Sequence, residues 1–136
     1  MIFSHKMYIR MYDTDTAQII FFGSQFRFIN DTLEEALRKE GLDLHHLFRE
    51  SDYCFVVVHA ESDYLAPLVA GDEIEVKMTV FKIGVCSFGF DFEIYKTDTQ
   101  VLSGKARTVH VVVDPKTRQK KPIPDALRKG LEKYQV

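Results

Sequence analysis

The sequence predicts an α+β fold in which one long helix is buried against an antiparallel sheet. Three observations predict it. A strand-like alternation opens the chain, one long stretch with helical spacing follows, and four more strand-like runs come after it with short connections. A helix with a wide apolar stripe must cover that stripe, and consecutive strands joined by short turns pair antiparallel.

Residues 5 to 13 alternate, with Met7, Ile9 and Met11 on one side and Tyr8, Arg10 and Tyr12 on the other, which predicts the first strand. From Ser24 to about Glu40 the spacing changes to three and four: Phe22, Phe26, Ile29, Leu33 and Leu37 form a stripe, and Gly41 supplies a stop. Glu34 with Arg38 and Glu35 with Lys39 are acid-before-base pairs four residues apart, each worth about 0.2–0.5 kcal/mol on an exposed face. After a short segment holding Leu44, Leu47 and Phe48, the run from Tyr53 to Ala60 is rich in β-formers and continues towards Tyr64. Ala66 to Asp72 breaks the pattern. A third strand runs from Glu73 to Lys82, Gly84 permits a turn, and a fourth places Phe88, Phe90, Phe92 and Ile94 on one face. The fifth spans about Val101 to Val113 and closes at Asp114-Pro115-Lys116-Thr117, after which a short helix follows Pro124.

With 136 residues the chain has the size of a single domain, 1–136. Hydrophobic residues at 46% and charged residues at 28% match a soluble globular protein, and a formal net charge of −2 argues against nucleic acid as the main partner. Cys54 and Cys86 fit neither a zinc spacing nor a disulfide framework and read as reduced, small apolar residues. Residues 1 to 6 carry no apolar core for a signal peptide or anchor, so a cytoplasmic location without membrane contact is expected.

The chemistry-bearing segment is Asp13-Thr14-Asp15-Thr16-Ala17-Gln18-Ile19-Ile20-Phe21-Phe22. Two aspartates two apart on extended chain point to opposite sides, so they cannot share a substrate unless the chain bends. Asp13 reads as a turn cap ahead of the helix. No further cluster of carboxylates or histidines accompanies the pair at a metal-binding spacing, so no metal is expected. Unpaired N–H groups where the helix starts, near Phe22-Gly23-Ser24, form a site for an oxyanion.

This element order, a long central helix wrapped by a curved antiparallel sheet, resembles the hot-dog fold. The segment from Tyr12 to Phe28 resembles the active-site signature of the 4-hydroxybenzoyl-CoA thioesterase family, and the likeness extends through Asp63-Tyr64-Leu65-Ala66-Pro67 and Gly71-Asp72. It implies an acyl-CoA thioesterase without a cofactor, Asp15 being general base or nucleophile and the Phe22 N–H polarising the thioester carbonyl. Gly23 would let the acyl group approach the backbone closely. Gln18 stands where the family often has glycine and could reshape the loop or orient water, and Phe22 stands where histidine or tyrosine is common.

His59 interrupts an apolar strand on the side of Phe55, Val57, Glu61 and Asp63; it reads either as a satisfied structural histidine or as facing substrate. The substrate reading gains from Val57 to Tyr64, which resembles the matching strand of bacterial 1,4-dihydroxy-2-naphthoyl-CoA thioesterases, enzymes of menaquinone and phylloquinone synthesis. Ser87 falls near the substrate region by the same likeness. Gly84-Val85-Cys86 replaces a basic run of some relatives, leaving Lys82, Lys105, Arg107 or the tail from Lys116 to Lys121 to meet the CoA phosphates. His45 and His46 read as solvated. The resemblance also implies homodimers, often paired into homotetramers, with sites between subunits, and exposed edge strands favour such pairing. A hot-dog dehydratase would need a histidine on the central helix, and residues 22 to 40 contain none. A non-catalytic module holding an acyl or aryl ligand is the alternative from another class.

Overall fold

The computed structural model describes residues 1–136. Strands β1 (Phe3–Tyr8), β2 (Cys54–Tyr64), β3 (Glu73–Ile83), β4 (Ser87–Lys96) and β5 (Leu102–Val113) form one antiparallel sheet in the order β1-β3-β4-β5-β2. Helix α1 (Ser24–Lys39) packs on its inner face, α2 (Leu44–Arg49) follows at once, and α3 (Asp125–Glu132) ends the chain against β3. The expected strand, long helix and four strands are all present. No helix is long and apolar enough to cross a membrane.

The alternations in β3 and β4 decide where the core sits. Val76 opposes Ile94, Met78 opposes Phe92 and Val80 opposes Phe90, and all six are at most 2% exposed. Each side chain buried this fully contributes about 1.5–3 kcal/mol. The matching surface of α1 is Gln25, Phe28, Ile29, Thr32, Leu33, Ala36 and Leu37. Its centre therefore lies one residue away from the stripe read from apolar residues alone, because Gln25 and Thr32 are buried despite their polarity. Phe22 falls outside the helix and is 66% exposed.

Gly41 ends α1 as expected. It sits at φ 80°, the Leu42 N–H reaches the Leu37 carbonyl and the Gly41 N–H that of Arg38, a closure that satisfies two of the last carbonyls. The two expected charge pairs do not close; Arg38 instead lies 3.8 Å from Glu35. His45 and His46 belong to α2, which Asp43 caps through the His45 N–H.

Two strands differ from expectation. β1 stops at Tyr8, and after Ile9 a 3-10 turn over Met11–Asp13 replaces the expected alternation, so Met11 is exposed while Ile9 is buried. In β2 the pairing with β5 jumps from Val57↔His110 to His59↔Val109, leaving Val58 as a bulge. One extra residue reverses the faces. Val57 shares the inner face with His110, whereas His59, Glu61 and Asp63 oppose Val109, Arg107 and Lys105 on the outer face. His59 therefore does not lie on the side of Phe55 and Val57.

Candidate active site

Between Asp13 and Phe21 the chain folds back on itself. Thr14 bridges Ile20, the Phe21 N–H donates to the Asp13 carbonyl at 2.8 Å, and the Ser24 hydroxyl donates to the same carbonyl at 2.9 Å. At the tip, the Gln18 N–H donates to the Asp15 carbonyl at 2.9 Å and the Asp15 N–H to that of Ile19 at 3.1 Å. This is a four-residue turn, Asp15 to Gln18, whose last residue is left-handed, a common hairpin loop in which that last position favours glycine. Gln18 holds that position at φ 66°. Glycine is the residue such a backbone position favours, and here the loop takes that shape with a side chain added.

The two aspartates have opposite settings. Asp13 is 1% exposed, and its carboxylate is gripped by the Arg27 guanidinium through three contacts of 2.8–3.0 Å and by the Arg10 N–H at 2.8 Å. Arg27 also reaches Asp31 at 2.6 Å. The capping role expected for Asp13 is present, joined by a half-buried ion pair that ties the loop to α1. Asp15 is exposed; one of its oxygens accepts the Ala17 N–H at 2.8 Å and the other has no partner in the chain. Of the pair, only Asp15 has a carboxylate oxygen available for chemistry.

The chain next enters α1 through Phe22 and Gly23. Neither N–H has a partner within the chain, and the helix behind them adds the positive end of its dipole. The Phe22 carbonyl accepts the Tyr64 hydroxyl, so β2 holds this peptide in place. Gly23 has a helical φ of −70°, so its value is small size: a Cβ there would stand 3.0 Å from the Phe21 ring. Leu68, fully buried in the loop between β2 and β3, accepts the Ile20 N–H at 3.0 Å and braces the hairpin from below.

Asp15, Gln18, Phe22 and Gly23 are thus carried by one braced loop. His59 is on the outer face of β2, where its Nε2 lies 3.2 Å from Glu61. Ser87 opens β4 opposite Val111, on the outer face as well. Neither joins the Asp15 loop within one chain. Among the cations considered for CoA, Arg107 is committed to Asp91 at 2.6 Å and stacks 3.8 Å over Phe81, and Lys121 serves the Asp52 carbonyl at 2.8 Å.

Three residues escaped the sequence reading. Tyr64 and Gln25 act through contacts distant in sequence: the Gln25 Nε2 donates to Ser62 Oγ and to the Asp63 carbonyl at 2.9 Å. His110 is 3% exposed on the inner face of β5, and its signal was a lone histidine among valines at an inward position of the alternation.

A central helix held in an antiparallel sheet, with a free carboxylate and free amide donors where the helix begins, defines the class of hot-dog thioester hydrolases. Residues 9–131 match the thioesterase-like superfamily, and the chain belongs to that family. It is 34% identical over 125 residues to a 1,4-dihydroxy-2-naphthoyl-CoA hydrolase of Rippkaea orientalis, covering 91% of each chain. To the hydrolase of that name from Nostoc punctiforme it is 32% identical over 132 residues, covering 97% of this chain and 88% of the other. A solved 1,4-dihydroxy-2-naphthoyl-CoA thioesterase from Synechocystis superposes with a TM-score of 0.91 at 27% identity, over 96% of this chain and 95% of that one.

Proposed function

We propose that this protein hydrolyses an aryl-CoA thioester to CoA and the free carboxylic acid, with 1,4-dihydroxy-2-naphthoyl-CoA and 4-hydroxybenzoyl-CoA as the first substrates to try. One observation carries the reading: a carboxylate oxygen without a partner and an amide N–H without a partner belong to the same braced loop at the start of α1. The names of the two relatives from Rippkaea orientalis and Nostoc punctiforme support the aryl acyl group.

In this reading the thioester oxygen accepts the Phe22 N–H, which stabilises the negative charge that develops as the carbonyl carbon becomes tetrahedral. Asp15 acts in one of two ways. As a base it removes a proton from water, the new C–O bond forms, and collapse of the oxyanion breaks the C–S bond, the thiolate taking up the proton. As a nucleophile it forms a mixed anhydride with loss of CoA, which water then hydrolyses. Gln18, beside Asp15 on the hairpin, orients the attacking water, and Gly23 leaves room for the acyl group.

The site is completed by a second copy of the chain. β2 is a sheet edge with Val57 and Val58 exposed, and a homodimer, or a homotetramer of such dimers, covers that edge and brings His59 and Ser87 of one copy towards the substrate of another. Both cysteines are free, which fits a reducing cytoplasmic setting.

Thiol release over a panel of aryl and aliphatic CoA thioesters tests the reading. Asp15→Asn keeps the amide oxygen that accepts the Ala17 N–H, so the loop should stay folded while turnover falls by about 10²-fold or more. Undiminished turnover by the pure Asn protein would remove Asp15 from the mechanism.

A further inference from the structure

A cleft of about 430 Å³ opens between α1 and the inner face of the sheet beside β2, a size ordinary for a small-ligand site. Its walls include Phe26, Ile29, Leu33 and Val57. Four polar residues interrupt this apolar lining, Arg27 and Asn30 on α1 and two more on the sheet. Thr108 and His110, 8% and 3% exposed, stand side by side on β5, with His110 Nε2 3.0 Å from the Thr108 hydroxyl. The other ring nitrogen, Nδ1, is buried without any partner.

Packing does not require that nitrogen. The ring stacks on Phe88 at 5.4 Å and meets Phe55 and Phe90 edge-on at 5.7 and 5.4 Å, contacts that a phenylalanine could make as well. An unsatisfied polar atom inside a folded protein is uncommon and costly, so the polarity of His110 calls for a ligand. The chemistry at Asp15 and Phe22 does not use it. Position along the helix supplies the link: at 1.5 Å per residue, Phe26 and Ile29 lie about 3 and 7.5 Å beyond the first helical residue, Ser24, a distance that an acyl group of one or two aromatic rings can span from the thioester carbonyl.

We propose that His110 is a specificity-determining residue which, together with Thr108, hydrogen-bonds a ring hydroxyl of an aromatic acyl group seated in this cleft. The identity of the acyl group rests on the aryl-thioester reading above. A neutral imidazole offers one donor and one acceptor, and a phenolic hydroxyl offers both in return. Burial keeps the ring neutral at physiological pH by lowering its pKa to about 4.

Binding of free acids, which needs no turnover, tests the assignment. Calorimetry on the full chain compares 1,4-dihydroxy-2-naphthoate with 2-naphthoate and 4-hydroxybenzoate with benzoate. The wild type should bind each hydroxylated acid about tenfold or more tightly than its counterpart, and His110→Phe should bind both members of a pair alike. A wild type without that preference, or a His110→Phe protein that keeps it, overturns the proposal. Should His110→Phe fail to fold, the ring ¹⁵N resonances of His110 in the wild type decide: they should move on adding hydroxylated acids and stay in place with the hydroxyl-free ones, and the absence of that difference overturns the proposal equally. A wild type that discriminates among acids but hydrolyses no CoA thioester would refute the proposed activity and leave the role of His110 standing.

Discussion

Asp13 and Asp15 carry the same carboxylate and are separated by one threonine, yet Asp13 is consumed by Arg27 while Asp15 is left with a free oxygen. The loop can spare a carboxylate for chemistry because the neighbouring one does the anchoring. Gln18 has the reverse character, a side chain on a backbone position suited to glycine. Left-handed geometry costs an ordinary residue about 1–2 kcal/mol, and glycine gives part of that back through the entropy of its unfolded chain. Gln18→Gly should therefore raise stability by about 1 kcal/mol or less in chemical denaturation, whereas the β-branched Gln18→Val should lower it. A drop in kcat without loss of stability in Gln18→Gly would assign the side chain to water positioning. His110 provides a pH signature. Its pKa is lowered from 6.5 to about 4 by burial, so below 6.5 the unfolded chain takes up the proton first. Stability contributed by the neutral ring is fully present above about 6.5, is lost as pH falls towards 4, and changes no further below that. The whole effect is about 3 kcal/mol. Denaturant midpoints between pH 4 and 7 should show a steeper fall for wild type than for His110→Phe.

At the scale of elements, α1 and β2 are joined by two polar ties at the start of the helix. Tyr64 holds the Phe22 carbonyl, and Gln25 reaches Ser62 and the Asp63 carbonyl. Gln25 can approach so closely only because Gly104 lies opposite; a Cβ there would stand 2.5 Å from Gln25 Oε1 and 2.8 Å from Cδ. Gly104→Ala should cost about 1–3 kcal/mol and move the amide donors away from Asp15, lowering kcat along with stability. If Gln25 transmits the strain, the same substitution made in a Gln25→Ala background should cost clearly less. Equal costs in the two backgrounds would mean that the clash is relieved elsewhere. The bulge at Val58 belongs to this scale as well: it turns Val57 towards the cleft while sending His59 outward, and so separates a wall of the cleft from the strand's polar residues.

For the whole molecule, β2 is the sheet edge on which the proposed second copy docks. One edge of the sheet is β1 and the other is β2, whose residues from Val57 to Ala60 are exposed beside the cleft. The dimer proposed above should sediment as such at micromolar concentration. Val58→Asp would place like charges near each other where two β2 edges meet, and should shift the protein towards monomer and lower kcat/KM together. Monomers with full activity would show that a single chain holds the complete site. The Asp15 loop and the cleft occupy the same end of α1, so a subunit docked along β2 would enclose both.

Much of this was legible in the linear sequence. The alternation of Ile74, Val76, Met78 and Val80 against that of Phe88, Phe90, Phe92 and Ile94 determined a two-strand core, and Gly41 determined where the helix ends, because those signals are local and repeat with the period of the backbone. The Asp13 to Phe22 segment could be singled out by its likeness to a family, though not the division of work within it. Tertiary structure alone decided that Asp13 is spent on Arg27, fourteen residues away, that one bulge sends His59 to the outer face, and that Gln25 and His110 are buried. The physical reason is common to all four. Pairing register and burial depend on which distant residues meet, and a polar side chain in the core carries no periodic mark of its own until the groups around it are known.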